Sequence, residues 1–446
     1  MDHGPAIPPR EPERFEPSGP LTGRLTPPAD KSISHRAAII GAIADGPTRV
    51  SNFLDSDDTR SSLSAVANLG AMVNPEPRDY MPDEFIIEGV GPGGPRSLGR
   101  IDVGNAGTLM RLLPGWIAGY EGGLWRMNGD ASIRMRPVDR IADPLRLMGA
   151  EIEITDGRFP PIRIDGRALR GIEYELPVAS AQIKSCLLIA GLRAEGPTTV
   201  VEPLATRDHT EVMLEAAGAK IKRGPDRVTV WPSPNLKLDE VEVPADISSA
   251  AFFLVAASIV PGSQIVLEKI GINPSRTGIL SILERMGADI EVEPQDTGTG
   301  HVEGGGEPIG RITVRSAKLR ATRVEGEEIP LAIDELPLVA LAACFAEGET
   351  VITDAEELKR KESDRIAVVV DSLSGLGAQI EATDDGMIIT GSGGLRGGTV
   401  NSHGDHRIAM LGAVAGIASP GGVEVIDMEA ASVSYPGFAA DLQRLR

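Results

Sequence analysis

The feature that most constrains this chain is a pattern it builds six times: a polar start, an apolar helix, a glycine-containing turn and a β-rich strand. The first copy begins at Asp30–Lys31–Ser32–Ile33–Ser34–His35–Arg36, after Pro27 and Pro28. The prolines stop what precedes, and Asp30 or Ser32 can cap the exposed backbone N–H groups of a new helix. The sequence then turns apolar from Ala37 to Ala44 and stops at Asp45–Gly46–Pro47. Further copies start at Gly104–Asn105–Ala106–Gly107–Thr108, at Ala179–Ser180–Ala181–Gln182, at Asp246–Ile247–Ser248, at Ile333–Asp334–Glu335 and at Gly404–Asp405–His406–Arg407. The turn glycines Gly46, Gly122, Gly196, Gly262, Gly348 and Gly421 recur at intervals of 66 to 86 residues.

A second helix recurs in the first five copies and ends in Gly-Ala: Gly70–Ala71, Gly149–Ala150, Gly218–Ala219, Gly287–Ala288 and Gly377–Ala378. Glycine suits the left-handed position that closes a helix. The sixth copy offers only a short last helix near Pro436 to Leu445. A period this long is one compact βαβαββ-like α/β unit, longer than a solenoid repeat. The first helices, such as Ala250–Ala257 and Leu338–Ala343, are apolar on nearly every face. Such helices are buried. Each unit therefore wraps a sheet and an outer helix around one buried helix, and six polar helix starts can be aimed at one cleft.

The copies divide three and three. The Pro-rich passage Pro232–Pro234 and then Val243–Asp246 separate copy three from copy four. The predicted domains are residues 26–245 and residues 246–446. The strand-like Leu21–Leu25 belongs to the second, so the chain crosses between them twice. Residues 1–20, rich in Pro, Glu and Arg, read as a mobile tail. The Gly-rich Thr297–Gly306 reads as a surface loop, because no apolar helix follows it as a phosphate-binding loop requires.

Charge narrows the function. Lys and Arg total 44 against 64 Asp and Glu, a net of −20, which speaks against a nucleic-acid face. Yet cations collect at helix starts: Lys31, Arg36, Arg111, Arg136, Lys184, Arg207, Arg276, Lys361, Arg365 and Arg407. A helix N-terminus already attracts anions through its free N–H groups and dipole. The combination points to small anionic ligands. Cys186 and Cys344, the only cysteines, lie in apolar helices and read as packing thiols of a reducing compartment. No Cys or His spacing suits a metal, no apolar run suits a membrane span, and no signal core precedes residue 21. The expected address is the cytoplasm.

Taken in order, Asp30–Arg36, Gly104–Thr108, Arg136–Pro137, Ser180–Gln182, Arg207–Asp208–His209–Thr210, Asp334–Glu335, Lys361–Glu362–Ser363–Asp364–Arg365 and Asp405–Arg407 resemble the motifs of the 5-enolpyruvylshikimate-3-phosphate synthase family. Each motif is weak alone; eight in order on a sixfold repeat are specific. The resemblance spans Leu21 to the C-terminus. It implies a two-domain inside-out α/β barrel, three units per domain, with the active site in the interdomain cleft. The implied reaction transfers the carboxyvinyl group of phosphoenolpyruvate to the 5-hydroxyl of shikimate 3-phosphate by addition and elimination, releasing phosphate. It needs several cations for two phosphates and two carboxylates, a base and an acid, and no metal or organic cofactor. The expected partners are these two small molecules alone, with no nucleic acid or membrane, and a monomer suffices.

The resemblance places Lys31 against both substrates and in the catalytic set. Ser32, Arg36, Ser180, Ala181, Gln182, Arg207, Asp334 and Lys361 fall on the shikimate 3-phosphate side. Asn105, Gly107, Thr108, Arg136, Gln182, Glu362, Arg365, His406 and Arg407 fall on the phosphoenolpyruvate side. Each has an ordinary alternative: a solvated lysine, a helix cap at Ser32 or Ser180, a surface ion pair at Arg36, or pairing of Arg136 with Asp139 or Asp143. Asp334 matches the proposed base, and a carboxylate at a helix start is otherwise a cap. Glu362 matches the proposed proton donor or relay, so its surroundings are expected to raise its pKa. Its alternative is a salt bridge one turn on with Arg365. His406 could orient Arg407 or relay a proton. Glyphosate mimics phosphoenolpyruvate in this family, and Gly107 leaves room for it.

Two departures stand out. Many members carry a lysine before the aromatic-Pro pair near the C-terminus; here the run is Ser432–Val433–Ser434–Tyr435–Pro436. Leu112 follows Arg111 where others have proline. A rival is the sister family that uses UDP-N-acetylglucosamine as acceptor. That family carries a cysteine in the loop corresponding to Asp130–Arg136, which has none here, and typically has Lys-Asn where this chain has Lys31–Ser32. A second rival is a non-catalytic anion-binding homologue, against which the presence of both Asp334 and Glu362 argues.

Overall fold

The computed structural model describes residues 12–75, 82, 84–95, 99–295 and 306–446. All six apolar stretches are helices: Lys31–Ile43, Gly107–Ile117, Ala181–Gly191, Ile247–Ile259, Leu336–Cys344 and His406–Ala418. Four have a side-chain cap from the polar start. Asp30 accepts from Ile33 N, Ser180 from Ile183 N, Asp246 from Ser248 N and Asp405 from Arg407 N. The Ile247–Ile259 helix is buried at every residue, as its all-round apolarity requires.

In four of the six units the inner helix links two parallel strands of one small sheet. In the second unit Gly99–Asp102 runs parallel to Leu124–Asn128, next to which Phe159–Asp165 and then Glu151–Thr155 pair antiparallel. The third and fifth units repeat this order. The first and fourth take their parallel edge strand from elsewhere in the chain. Glu240–Glu242 completes the sheet of Pro47–Ser51, and Thr22–Leu25 completes that of Gln264–Gly271. The sixth unit has Gly398–Asn401 and Val423–Ile426 only, followed by a short helix at Phe438–Arg444. Lacking its own antiparallel strand, it presents an open edge, which Glu13–Phe15 fills against Val423–Val425. This corrects the mobile tail over residues 1–20: Phe15 is a buried core residue. Residues 1–11, and nearly all of the Gly-rich loop after Thr297, lie outside the described residues.

The repeated glycines have a geometric cause. Those closing the outer helices, Gly70, Gly149, Gly218, Gly287 and Gly377, all have φ between +82° and +106°. In the sixth turn the left-handed residue is Gly422, at φ +65°, one beyond the glycine expected from the spacing.

The buried apolar side chains form two clusters. One gathers Ala29 to Val243; the other gathers Phe15, Leu21, Leu25 and Ala245 to Leu445. The two chain crossings lie side by side. Asp30 N donates to Pro244 O and Asp246 N to Pro28 O, each at 2.8 Å. Arg276, 3% exposed, donates to Asp30 at 3.2 Å and to Asp246 at 3.3 Å, so one guanidinium is shared by both caps. Among the described residues no helix is long and apolar enough to cross a membrane.

Candidate active site

The polar helix starts of both halves line one cavity of about 610 Å³. Lys31, Ser32, Gly107, Thr108, Arg136, Ser180, Ala181, Gln182 and Arg207 come from the first half. Asp334, Lys361, Glu362, Arg365, His406 and Arg407 come from the second. Gln182 Nε2 donates to Thr108 Oγ1 at 3.2 Å, joining two motifs that lie 74 residues apart.

Arg365 organises the second-half wall. It is 1% exposed, and its Nε donates to Asp405 at 2.8 Å. From that anchor Nη1 donates to Asp334 at 3.2 Å and Nη2 to Glu362 at 2.5 Å. One planar fork therefore fixes both candidate acid–base groups. Asp334 also faces Lys361 at 3.3 Å, Arg407 at 3.8 Å and, from the opposite wall, Arg207 at 2.5 Å. Arg407 Nη1 donates to the Asp334 carbonyl at 3.1 Å. The capping role open to Asp334 falls to neither side chain here: the Leu336–Cys344 helix starts at Glu335 without a side-chain cap.

Electrostatics follow from this crowding. Burial pushes the Asp334 carboxyl up, but Lys361, Arg407, Arg207 and Arg365 outweigh it and hold it well below the usual range. The same contest holds for Glu362, where Arg365, His406, Arg136 and Lys31 overcome burial. The expected raised pKa of Glu362 is thus corrected: it is lowered, because four cationic or imidazole groups converge on it. Its ordinary alternative, the pair with Arg365, is present as well. Burial and then Lys31 and Arg407 push His406 down to about 3, so it is neutral near pH 7.

Other predicted residues fall differently. Arg36 does not line the cavity. It is 2% exposed and donates to Thr210 Oγ1 at 2.7 Å, Ser185 Oγ at 2.9 Å and the Ser32 carbonyl at 3.0 Å, beneath the first-half wall. Asn105 also lies outside the lining and accepts from Arg136 Nη2 at 2.8 Å. Arg136 pairs across the cavity with Glu362 at 3.5 Å, whereas Asp139 and Asp143 serve Arg158 and Arg146. Lys184, one of the helix-start cations, is buried against Glu202 and Glu211, away from the cavity. Ser434 occupies the wall near the absent C-terminal lysine.

Among the lining residues that no family motif marks are Asp58, Arg111, Arg140, Arg276 and Glu357. Asp58 accepts from Lys31 Nζ at 3.2 Å. Arg111 is held by the carbonyls of Gly107 at 3.2 Å and Pro137 at 3.3 Å. Arg111 and Arg276 were visible as helix-start cations; Asp58, Arg140 and Glu357 had no signal, because their partners are distant in sequence.

The comparisons with known proteins agree with this arrangement. The family model described as EPSP synthase (3-phosphoshikimate 1-carboxyvinyltransferase) matches residues 15–442. A Bacillus cereus protein named 3-phosphoshikimate 1-carboxyvinyltransferase is 48% identical over 429 residues, 95% of this chain and 97% of its own. A Bacillus anthracis protein of the same name is equally similar. A solved structure of EPSP synthase from Acinetobacter baumannii is 42% identical, with a TM-score of 0.85 over 98% of both chains. With two halves of three α/β units each, the last of them abridged, a cation-lined cavity between them and these relatives along nearly its whole length, the chain belongs to the EPSP synthase family.

Proposed function

We propose that the chain transfers the carboxyvinyl group of phosphoenolpyruvate to the 5-hydroxyl of shikimate 3-phosphate. The observation that carries this reading is the Arg365 fork, which holds Asp334 and Glu362 together inside a cavity rich in guanidinium and ammonium groups. In this reading Lys31, Ser32, Ser180, Ala181, Gln182, Arg207 and Lys361 take shikimate 3-phosphate. Lys31, Gly107, Thr108, Arg136, Gln182, Arg365, His406 and Arg407 take phosphoenolpyruvate. Arg36 supports the Ser32 carbonyl from below, and Asn105 steadies Arg136.

Asp334, ionised, takes the 5-hydroxyl proton as the oxygen adds to C2 of phosphoenolpyruvate. The methylene carbon C3 gains a proton, giving a tetrahedral intermediate. Elimination then removes a C3 proton and expels phosphate. Glu362 is held ionised, and an ionised glutamate delivers a proton only after receiving one. That supports the relay role over a stored proton. His406, neutral near pH 7, can pass a proton without adding a charge. One chain supplies both walls, so a monomer suffices.

The test is phosphate release from phosphoenolpyruvate with shikimate 3-phosphate or with UDP-N-acetylglucosamine as acceptor. Release with shikimate 3-phosphate alone is expected; release with the sugar nucleotide alone would overturn the acceptor. Asp334→Asn and Glu362→Gln are each expected to lower kcat by about 10²–10⁴ while shikimate 3-phosphate still binds by calorimetry. Turnover unchanged in both variants would overturn the acid–base assignment.

A further inference from the structure

Two ion pairs cross the cavity side by side. The inner one joins Arg136 to Glu362 at 3.5 Å. The outer one joins Arg140 Nη1 to Glu357 Oε1 at 3.0 Å. Arg140 lies in the Asp139–Leu147 helix of the first half, four residues after Arg136. Glu357 lies in the 3-10 turn Glu356–Arg360 of the second half, which runs directly into Lys361 and Glu362.

We propose that Arg140 and Glu357 are a positioning pair: by docking the Glu356–Arg360 turn onto the first half they set where Lys361 and Glu362 stand against the substrates. This rests on the reading given under Proposed function. The turn is a firm lever. Leu358 is fully buried, and Lys359 Nζ donates to the Asp384 carbonyl at 2.7 Å, so the turn is anchored to its own half. Glu356 is paired with Arg360 at 2.9 Å. Glu357 is the carboxylate left to reach across, and among the described residues Arg140 pairs with no other carboxylate.

Charge explains why the pair is needed. Arg111, Arg136 and Arg140 stand together on the first-half wall. Burial, then repulsion from Arg140 and Arg136, pushes Arg111 down to about 10, and Glu357 and Glu362 oppose that repulsion. Once substrate anions engage Arg136, the inner pair is loosened. The outer pair, which no proposed substrate contact uses, then keeps the turn, and with it Glu362, in place.

The test is a charge swap read by steady-state kinetics of the full chain. Arg140→Glu and Glu357→Arg are each expected to lower kcat about tenfold. The melting temperature should stay close to that of the unaltered protein. The double swap R140E/E357R should recover kcat to within about threefold. R140E/E356R restores the same net charge without the pair and should recover nothing. Equal recovery by both doubles would overturn the pair in favour of the cavity's overall charge. Single variants as active as the unaltered protein would also overturn it. Absence of turnover by the unaltered protein would instead overturn the functional reading, and this inference with it.

Discussion

At the residue scale, one guanidinium sets the chemistry. Arg365 reaches Asp405, Asp334 and Glu362 at once, and its burial removes the water that would otherwise weaken each contact. The residue types were legible in the sequence; the ionisation was not. Glu362 was expected to carry a raised pKa, and the convergence of Arg365, His406, Arg136 and Lys31, from four separate segments, reverses the sign. Gly107 gives a prediction at this scale. A Cβ there would stand 3.0 Å from Arg111 Nη1 and 3.1 Å from Arg136 Nη1. Both are ends of flexible side chains, so the fold can yield but neither guanidinium keeps its place. Gly107→Ala is expected to raise KM for phosphoenolpyruvate about tenfold, with little change in shikimate 3-phosphate affinity. Initial rates with each substrate varied in turn check this, and an unchanged KM would refute it.

At the element scale, helices pack closely where glycine allows it. Gly41, Gly191 and Gly412 sit in inner helices against their own sheets, near Thr48, Thr198 and Val400 respectively. Gly115 lets the Gly107–Ile117 helix meet the Ala181–Gly191 helix: a Cβ there would lie 2.2 Å from the Cys186 carbonyl. Alanine is favoured over glycine in a helix by up to about 1 kcal/mol, but a backbone clash outweighs it. Gly115→Ala is expected to destabilise the fold by about 1–3 kcal/mol, read as a lower urea midpoint at constant m. Gly375→Ala, whose Cβ would meet nothing within 4 Å, should instead leave the midpoint equal or slightly higher. Inner helices, caps and turns were legible because each is set by residues a few positions apart. The strand at Glu13–Phe15 was not, since its sequence carries no strand pattern and it forms only because the sixth sheet offers an edge.

At the scale of the whole molecule, the two halves are joined by two adjacent crossings clamped by Arg276. Arg276→Met would leave Asp30 and Asp246 buried without their cation and is expected to destabilise by about 3–5 kcal/mol. Chemical denaturation measures it, and a loss below about 1 kcal/mol would refute the clamp. The pH dependence of stability also belongs here. Burial holds His35 and His406 near 3, so unfolding takes up protons below the ordinary histidine range and stability falls with pH. Burial raises Asp246 to about 6 and also raises Glu211; these acids bind protons in the folded state first and act in the opposite direction. Between about pH 6 and 4.5 Asp246 and Glu211 oppose part of the histidine loss. Below that range Asp30, near 2, with Asp58, Asp334, Glu362 and Asp405, all lowered, must be protonated against their cations, and stability is lost as pH falls. Urea midpoints should decline gently below about pH 6.5 and drop steeply beneath about pH 4.5. Midpoints unchanged from about pH 7 to 4 would refute this account.

The sequence by itself determined the unit: its buried helix, its polar start, its left-handed glycines and its sixfold recurrence, because hydrophobic period, capping and turn chemistry act over a few residues. It also determined the family, through motifs whose order survives in the linear chain. Only the tertiary structure decided which charges meet. Arg207 and Asp334 are 127 residues apart, Arg140 and Glu357 are 217 apart, and Arg136 and Glu362 are 226 apart. Such pairs depend on how two separately packed cores face one another. That same packing turned Arg36 beneath the wall, set Lys184 against glutamates, and lent strands from one end of the chain to sheets at the other.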